Sequence, residues 1–167
     1  MLMHLDTTRL SLQPLSFNDD AFIFELVNTE GWLQFIGNRN VNHLEASRHY
    51  IQKIMDNTNI QYWVVRLNEK NVPIGIVTFI KRDYLEYHDI GFAFLPQFSK
   101  KGYAYEAVFA VLNELKNEKA HPQILATTIQ DNVRSIQLLE KLGFHFEKII
   151  QQGAIELYLY ASLNVSC

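Results

Sequence analysis

The stretch that most constrains this chain is HDIGFAFLPQFSKKGYAYEAV, residues 88–108, where the spacing of apolar side chains changes from two to 3.6. Ile90, Phe92 and Phe94 share one face of a strand, and Asp89, Gly91 and Ala93 the other. Pro96 stops the strand, a short loop carries Lys100 and Lys101, and Gly102 opens a helix. Ala104, Ala107, Val108, Val111, Leu112 and Leu115 cover one side of that helix. Such a junction points unpaired backbone N–H groups and the positive end of the helix dipole at the loop. An anion, above all a pyrophosphate, is its natural occupant. The same pattern also fits a solvated first turn with two surface lysines.

The rest of the chain reads as one mixed α/β layer structure. Thr8 to Gln13 alternates as a first strand, and Ser16 with Asp19 opens a helix through a capping box. Asn42 and Glu45 open a second helix whose inward face is Leu44, Ile51, Ile54 and Met55. Two β-rich runs around Asn68–Asn71 predict a hairpin, with Pro73 and Gly75 marking an irregular start or a close backbone approach in its second strand. After the Gly102 helix come a strand over Gln123–Gln130 and a helix over Asn132–Leu142 ending at Gly143. Strands over Phe144–Ile149 and Ala154–Ala161 follow. The order β-α-α-β-β-β-α-β-α-β-β gives a mixed sheet in an α+β or α/β fold, one domain over residues 1–167.

Composition narrows the function classes. An apolar share of 48% with 20% charged residues excludes disorder, and a net charge of −3 leaves no global basic field for nucleic acid. The longest uncharged runs are eleven residues, about half of what a membrane-spanning helix needs. His4, Asp6 and Arg9 stand where a secretory signal would be apolar. The lone cysteine, Cys167, fits a reducing compartment. Six histidines without H-x-H or H-x-x-x-H spacing lead us to expect no metal site.

Two segments carry a resemblance. PQFSKKGYAYEA, residues 96–107, resembles the acetyl-CoA loop Q/R-x-x-G-x-G/A of the GNAT superfamily of N-acetyltransferases, in one branch P-x-x-x-G-K-G-Y-A-T-E-A. DNVRSIQLLEKLGF, residues 131–144, is similar to the family's N-x-x-S/A-x-x-L-x-x-x-L-G-F. T-x-R-L-x-L from Thr7 and P-I-G-x-V from Pro73 add the front half, so the whole chain is similar to the RimJ/RimL-like branch of ribosomal-protein acetyltransferases. The resemblance implies a central, mostly antiparallel twisted sheet of about seven strands with about four helices, splayed at Phe92–Leu95. One departure stands out: Lys100 occupies the place of the loop's first glycine. A lysine there offers its N–H if its φ is negative, and its ammonium adds a charge-assisted contact to phosphate. Tyr105, where the branch often has Thr, is a milder change.

The resemblance implies acetyl-CoA as co-substrate and a primary amine as acceptor, in a cytoplasmic monomer or homodimer. Phe92, Ala93 and Phe94 would pair their backbone with the pantetheine arm. Lys100, Lys101, Gly102, Tyr103, Ala104 and Tyr105 would give N–H groups to the pyrophosphate, and Asn132 its amide to the pantetheine. A backbone N–H near Phe94 or Leu95 would polarise the thioester carbonyl. Asp89, where relatives often carry Glu, is the candidate base, with His88 facing away. Ser135 is the candidate near the thiol. Leu139 stands where many relatives have an acid tyrosine. Glu30, Trp32 and Phe35 are a weaker candidate wall for the acceptor. The acceptor could be a protein N-terminus, an amino sugar, a polyamine or an amino-acid-like metabolite; an acidic cleft would argue for a cationic amine. The alternative is a catalytically weak or inactive GNAT-fold module that holds acyl-CoA and acts by regulation. A bare domain that oligomerises through Tyr158 and Tyr160 is a third reading.

Overall fold

A computed structural model describes residues 3–162; Cys167 lies outside the described residues. Among these residues eight strands form one sheet in the order β1-β2-β3-β4-β5-β6-β8-β7. They are β1 (Leu5–Asp6), β2 (Leu10–Pro14), β3 (Ile60–Leu67), β4 (Val72–Ile80), β5 (Asp89–Phe94), β6 (Leu125–Thr128), β7 (Phe144–Gln152) and β8 (Ile155–Ser162). Every neighbouring pair is antiparallel except β5 and β6, which run parallel because a helix connects them. Among the described residues, five α-helices cover the sheet: α1 (Asp20–Val27), α2 (Glu30–Phe35), α3 (Leu44–Asp56), α4 (Tyr103–Asn117) and α5 (Val133–Lys141). The sheet is thus one strand larger than expected and the helix count one higher, the additions being the two-residue β1 and the six-residue α2.

Each face of the sheet buries its own apolar layer. Leu10, Leu12, Trp63, Val77, Phe79 and Ile90 meet Ala107, Val108, Val111 and Leu112 of α4, with Leu139 of α5 in the same layer. On the opposite face Tyr62, Val64 and Ile76 meet Phe22, Ile23 and Leu26 of α1 and Ile51 and Ile54 of α3. The Ser16–Asp19 capping box is present and heads a 3-10 turn, Phe17–Asp19, that runs into α1. Buried Asp19 also pairs with Arg66 of β3, tying that turn to the sheet.

Helix α3 differs from its expected form. His43, not Asn42, caps it, its Nδ1 accepting from the Ala46 N–H at 3.1 Å. Leu44 and Met55 are about half exposed, at 47% and 48%. The inward face is Ser47, Ile51 and Ile54, because the Ser47 hydroxyl donates to the Asp20 carbonyl at 2.7 Å and locks α3 against α1.

The β3–β4 hairpin turns at residues 68–71, and Pro73 and Gly75 mark both an irregularity and a close approach. The register slips so that Val65 pairs with Gly75 and Arg66 with Pro73, leaving Ile74 as an extra residue. A Cβ on Gly75 would stand 2.3 Å from the Phe94 ring, so only glycine lets β4 accept that ring.

Candidate functional site

The two parallel strands at the middle of the sheet separate almost as soon as they meet. Asp89 and Leu125 are the single paired position of β5 and β6. The Leu125 N–H donates to the His88 carbonyl at 3.0 Å, whereas the Leu95 N–H donates back to Ile74 of β4 at 2.8 Å. Successive residues of a strand direct their main-chain groups to opposite sides. Phe92 and Phe94 therefore present N–H and C=O to the gap, while the groups of Ala93 and Leu95 face β4. Of the two N–H groups expected near a thioester carbonyl, Phe94 has the one facing the gap.

The gap is flanked by two helix N-termini. Gly102 caps α4 at φ +79° with no side-chain cap, leaving the N–H groups of Tyr103, Ala104 and Tyr105 without intrahelical acceptors. Lys100 also sits in the left-handed region, at φ +61°. The condition of a negative φ is not met; instead the main chain keeps the left-handed shape that a glycine at this place would take. That conformation costs a non-glycine residue about 1–2 kcal/mol.

The loop is braced from behind. The Arg9 guanidinium donates to the Lys101 carbonyl at 2.9 Å and lies 4.5 Å from the centre of the Tyr103 ring. Glu106 accepts from the Thr7 hydroxyl at 2.6 Å, the Arg9 N–H at 3.0 Å and the Arg9 Nε at 2.7 Å. Burial alone would raise the Glu106 pKa, but those hydrogen bonds and the Arg9 charge hold it below its ordinary value. In the sequence Thr7 and Arg9 are legible only as strand markers, and the brace is not, because Arg9 and Glu106 lie 97 positions apart.

On the other flank, Asn132 caps α5, its Oδ1 accepting from the Ser135 N–H at 3.4 Å. Its amide nitrogen donates to no group among the described residues, so one side chain can cap the helix and still offer a donor. Thr127 and Thr128 of β6, Asn132 and Ser135 all line a cleft of about 590 Å³ that passes through the gap and reaches the α2–α3 side of the sheet. Leu139, 1% exposed, also lines this cleft, and a leucine has no proton to give.

Asp89 lies in the wall of this cleft at 3% exposure, and among the described residues it is the one carboxylate that lines it. Burial raises its pKa; the Arg82 guanidinium, whose Nε donates to it at 2.9 Å, pulls the other way without cancelling the rise. His88 faces the opposite side, stacked on Phe79 with ring centres 4.7 Å apart. Trp32 and Phe35 of α2 line the cleft, whereas Glu30 is exposed in the first turn of that helix and does not. Four further residues that sequence reasoning misses, Arg39, Lys53, Tyr62 and Arg82, line the same cleft. Arg82 could have been flagged by its place seven residues before Asp89 across one turn. Nothing local marks the other three.

No helix among the described residues is long and apolar enough to cross a membrane. Comparisons with known proteins agree with the geometry. The chain is 28% identical over 168 residues to the uncharacterised N-acetyltransferase YnaD of Bacillus subtilis (strain 168), spanning 97% of this chain and 98% of that one. A GNAT-family acetyltransferase from Bacillus anthracis superposes with a TM-score of 0.82 at 27% identity, over 98% of this chain and all of that one. The RimL ribosomal alpha-N-protein acetyltransferase, solved in complex with coenzyme A, shares the fold with a TM-score of 0.84 at 16% identity, over 96% and 98% of the two chains. Residues 9–145 match the family described as an acetyltransferase (GNAT) domain. With that match over most of its length, the chain belongs to the GNAT acetyltransferase family.

Proposed function

We propose that this chain is a cytoplasmic, single-domain N-acetyltransferase that moves the acetyl group of acetyl-CoA directly to a primary amine in a ternary complex. The observation that carries this reading is the open edge of β5 between the α4 and α5 N-termini, with unpaired main-chain groups at Phe92 and Phe94. An extended amide-bearing arm can add to that edge as a strand would.

In this reading the N–H groups from Lys100 to Tyr105 hold the pyrophosphate, and the Lys100 and Lys101 ammoniums add attraction that salt screens. The Asn132 amide nitrogen holds a carbonyl of the pantetheine arm. The Phe94 N–H donates to the thioester oxygen as negative charge develops there. Bound acetyl-CoA supplies an acyl carbon activated by its thiol leaving group. Asp89 takes the proton that the incoming ammonium must lose before its nitrogen can attack, and its raised pKa suits it to that task. The C–N bond forms as the C–S bond breaks, and the sulfur leaves as a thiolate. A thiol of pKa near 8.5 needs little help in leaving. The Ser135 hydroxyl, one turn into α5, is the group we assign beside it.

Calorimetric titration of acetyl-CoA at two salt concentrations tests binding, and turnover with a panel of amines tests transfer. Micromolar binding that weakens with salt, with turnover, is expected. Asp89→Asn, which can still accept from Arg82, should lower kcat about a hundredfold, the lower end of what a general base contributes, while acetyl-CoA affinity stays within threefold. Full activity in that variant removes Asp89 from the mechanism. Binding with no turnover on any amine would favour a non-catalytic module, a reading supported by the leucine at position 139, which lines the cleft and can give no proton.

A further inference from the structure

The charge of the acceptor end of the cleft is opposite to that of the protein. The chain carries a net charge of −3, yet among the described residues its cleft is lined by Arg39, Lys53 and Arg82 against Asp89 alone. Arg82 is committed to Asp89. Arg39 and Lys53 form no ion pair among the described residues, so two cations face the cleft without a carboxylate. A second observation stands at the same place. The Trp32 indole N–H is buried and has no acceptor among the described residues, and the Arg39 guanidinium lies 5.9 Å from the centre of that indole. An unpaired buried donor of this kind costs about 1–3 kcal/mol, which an incoming acceptor atom would relieve. Burial pushes the Tyr62 hydroxyl pKa well up, and Arg39 and Arg82 both pull it back, so the two guanidiniums act on one region of the cleft.

We infer that the acetyl acceptor is a small apolar amine bearing an anionic group, held through that group by Arg39 and Lys53 beside Trp32, with its amine directed to Asp89. This rests on the transferase reading and names its substrate class. A cleft with surplus positive charge repels polyamines and amino sugars, which carry several ammoniums, and attracts an amine that carries its own anion. The apolar part of the acceptor meets Trp32, Phe35 and Ile54. The cleft volume of about 590 Å³ must also admit the reactive end of acetyl-CoA, which leaves room for a small molecule.

The test compares L-phenylalanine and L-leucine with their amides, together with O-phosphoethanolamine and spermidine. Two readouts are taken: kcat/KM with acetyl-CoA, and calorimetric binding to the protein saturated with CoA. We expect the free amino acids or the phosphoamine to exceed the amides and spermidine at least tenfold in both. Better activity with the amino acids assigns a carboxylate, and better activity with the phosphoamine a phosphate. Arg39→Gln with Lys53→Gln should reduce the preference below threefold, and Arg39→Lys should retain part of it. Both side chains are exposed, so the variants are expected to fold. Turnover that favours spermidine or the amides overturns the inference and leaves the transferase reading intact. Anion-dependent binding without turnover upholds the site and overturns transfer. Absence of binding and turnover for every anionic probe overturns the inference, as does a preference that survives the double substitution.

Discussion

At position 100 the backbone and the side chain make opposing demands. The loop needs a left-handed residue, as φ +61° shows, and the chain supplies a lysine there. Glycine would relieve about 1–2 kcal/mol of steric cost and add about 0.5–1 kcal/mol of unfolded-state entropy. Lys100→Gly should therefore leave stability unchanged or raise it by up to about 1.5 kcal/mol. Lys100→Val should lower it, because a β-branched residue tolerates that region least. Thermal unfolding of the two variants reads the difference, and a clearly destabilised Lys100→Gly would show that the lysine side chain holds the loop. Acetyl-CoA affinity in Lys100→Gly should stay the same or improve slightly, because a glycine that takes this loop shape without strain offsets the lost ammonium attraction, and its salt dependence should weaken. A loss above tenfold would make the ammonium itself a phosphate ligand. That Lys100 departs from the family's glycine could be read from the sequence. Its φ could not, because a loop lysine looks the same in either region until its neighbours close the turn.

Glycines separate two kinds of element. Gly75 of β4 lies under the Phe94 ring of β5, so a side chain there must displace an aromatic whose backbone borders the gap. Gly75→Ala should cost about 1–3 kcal/mol of stability and weaken acetyl-CoA binding, since β5 has to move. At Gly31 of α2 a Cβ would meet nothing within 4 Å, and Gly31→Ala should stabilise by roughly 0.5–1 kcal/mol with binding unaltered. Chemical denaturation with parallel calorimetry measures both, and equal effects at the two positions would refute the packing argument. Pro73 and Gly75 announce an irregular strand in the sequence, but only the neighbouring strand reveals which ring uses the space. α3 shows the reverse: counting apolar residues selects Leu44 and Met55, while the helix turns inward a serine whose hydroxyl has found a partner on α1. α2 escapes notice because six residues carry too little periodicity, although Thr29 caps it by accepting from the Trp32 N–H at 3.3 Å.

Across the whole molecule, two carboxylates shape stability against pH in opposite senses. Glu106 has a folded pKa below its ordinary 4.5, so its contribution is complete above that value and is lost as pH falls through the folded one. Asp89 has a folded pKa above its ordinary 3.8, so its ionised form costs stability at neutral pH, and the cost is relieved as pH falls through the raised value. Glu106→Gln should lose about 1–2 kcal/mol at pH 7, with the gap to the parent protein closing as pH falls through the lowered folded value, while Asp89 behaves alike in both. Urea midpoints across that range check it; a gap independent of pH would mean that the Thr7–Arg9–Glu106 brace works by shape alone. Local patterning along the chain determined most strands and helices, the order of elements, the loop before α4 and the asparagine cap of α5, because period, caps and turn residues act over a few positions. The tertiary structure decided how far β5 and β6 part, which cations surround Asp89 and how Arg9 supports a loop more than ninety residues away. Those depend on which distant elements the buried layers bring together, and no local spacing records that.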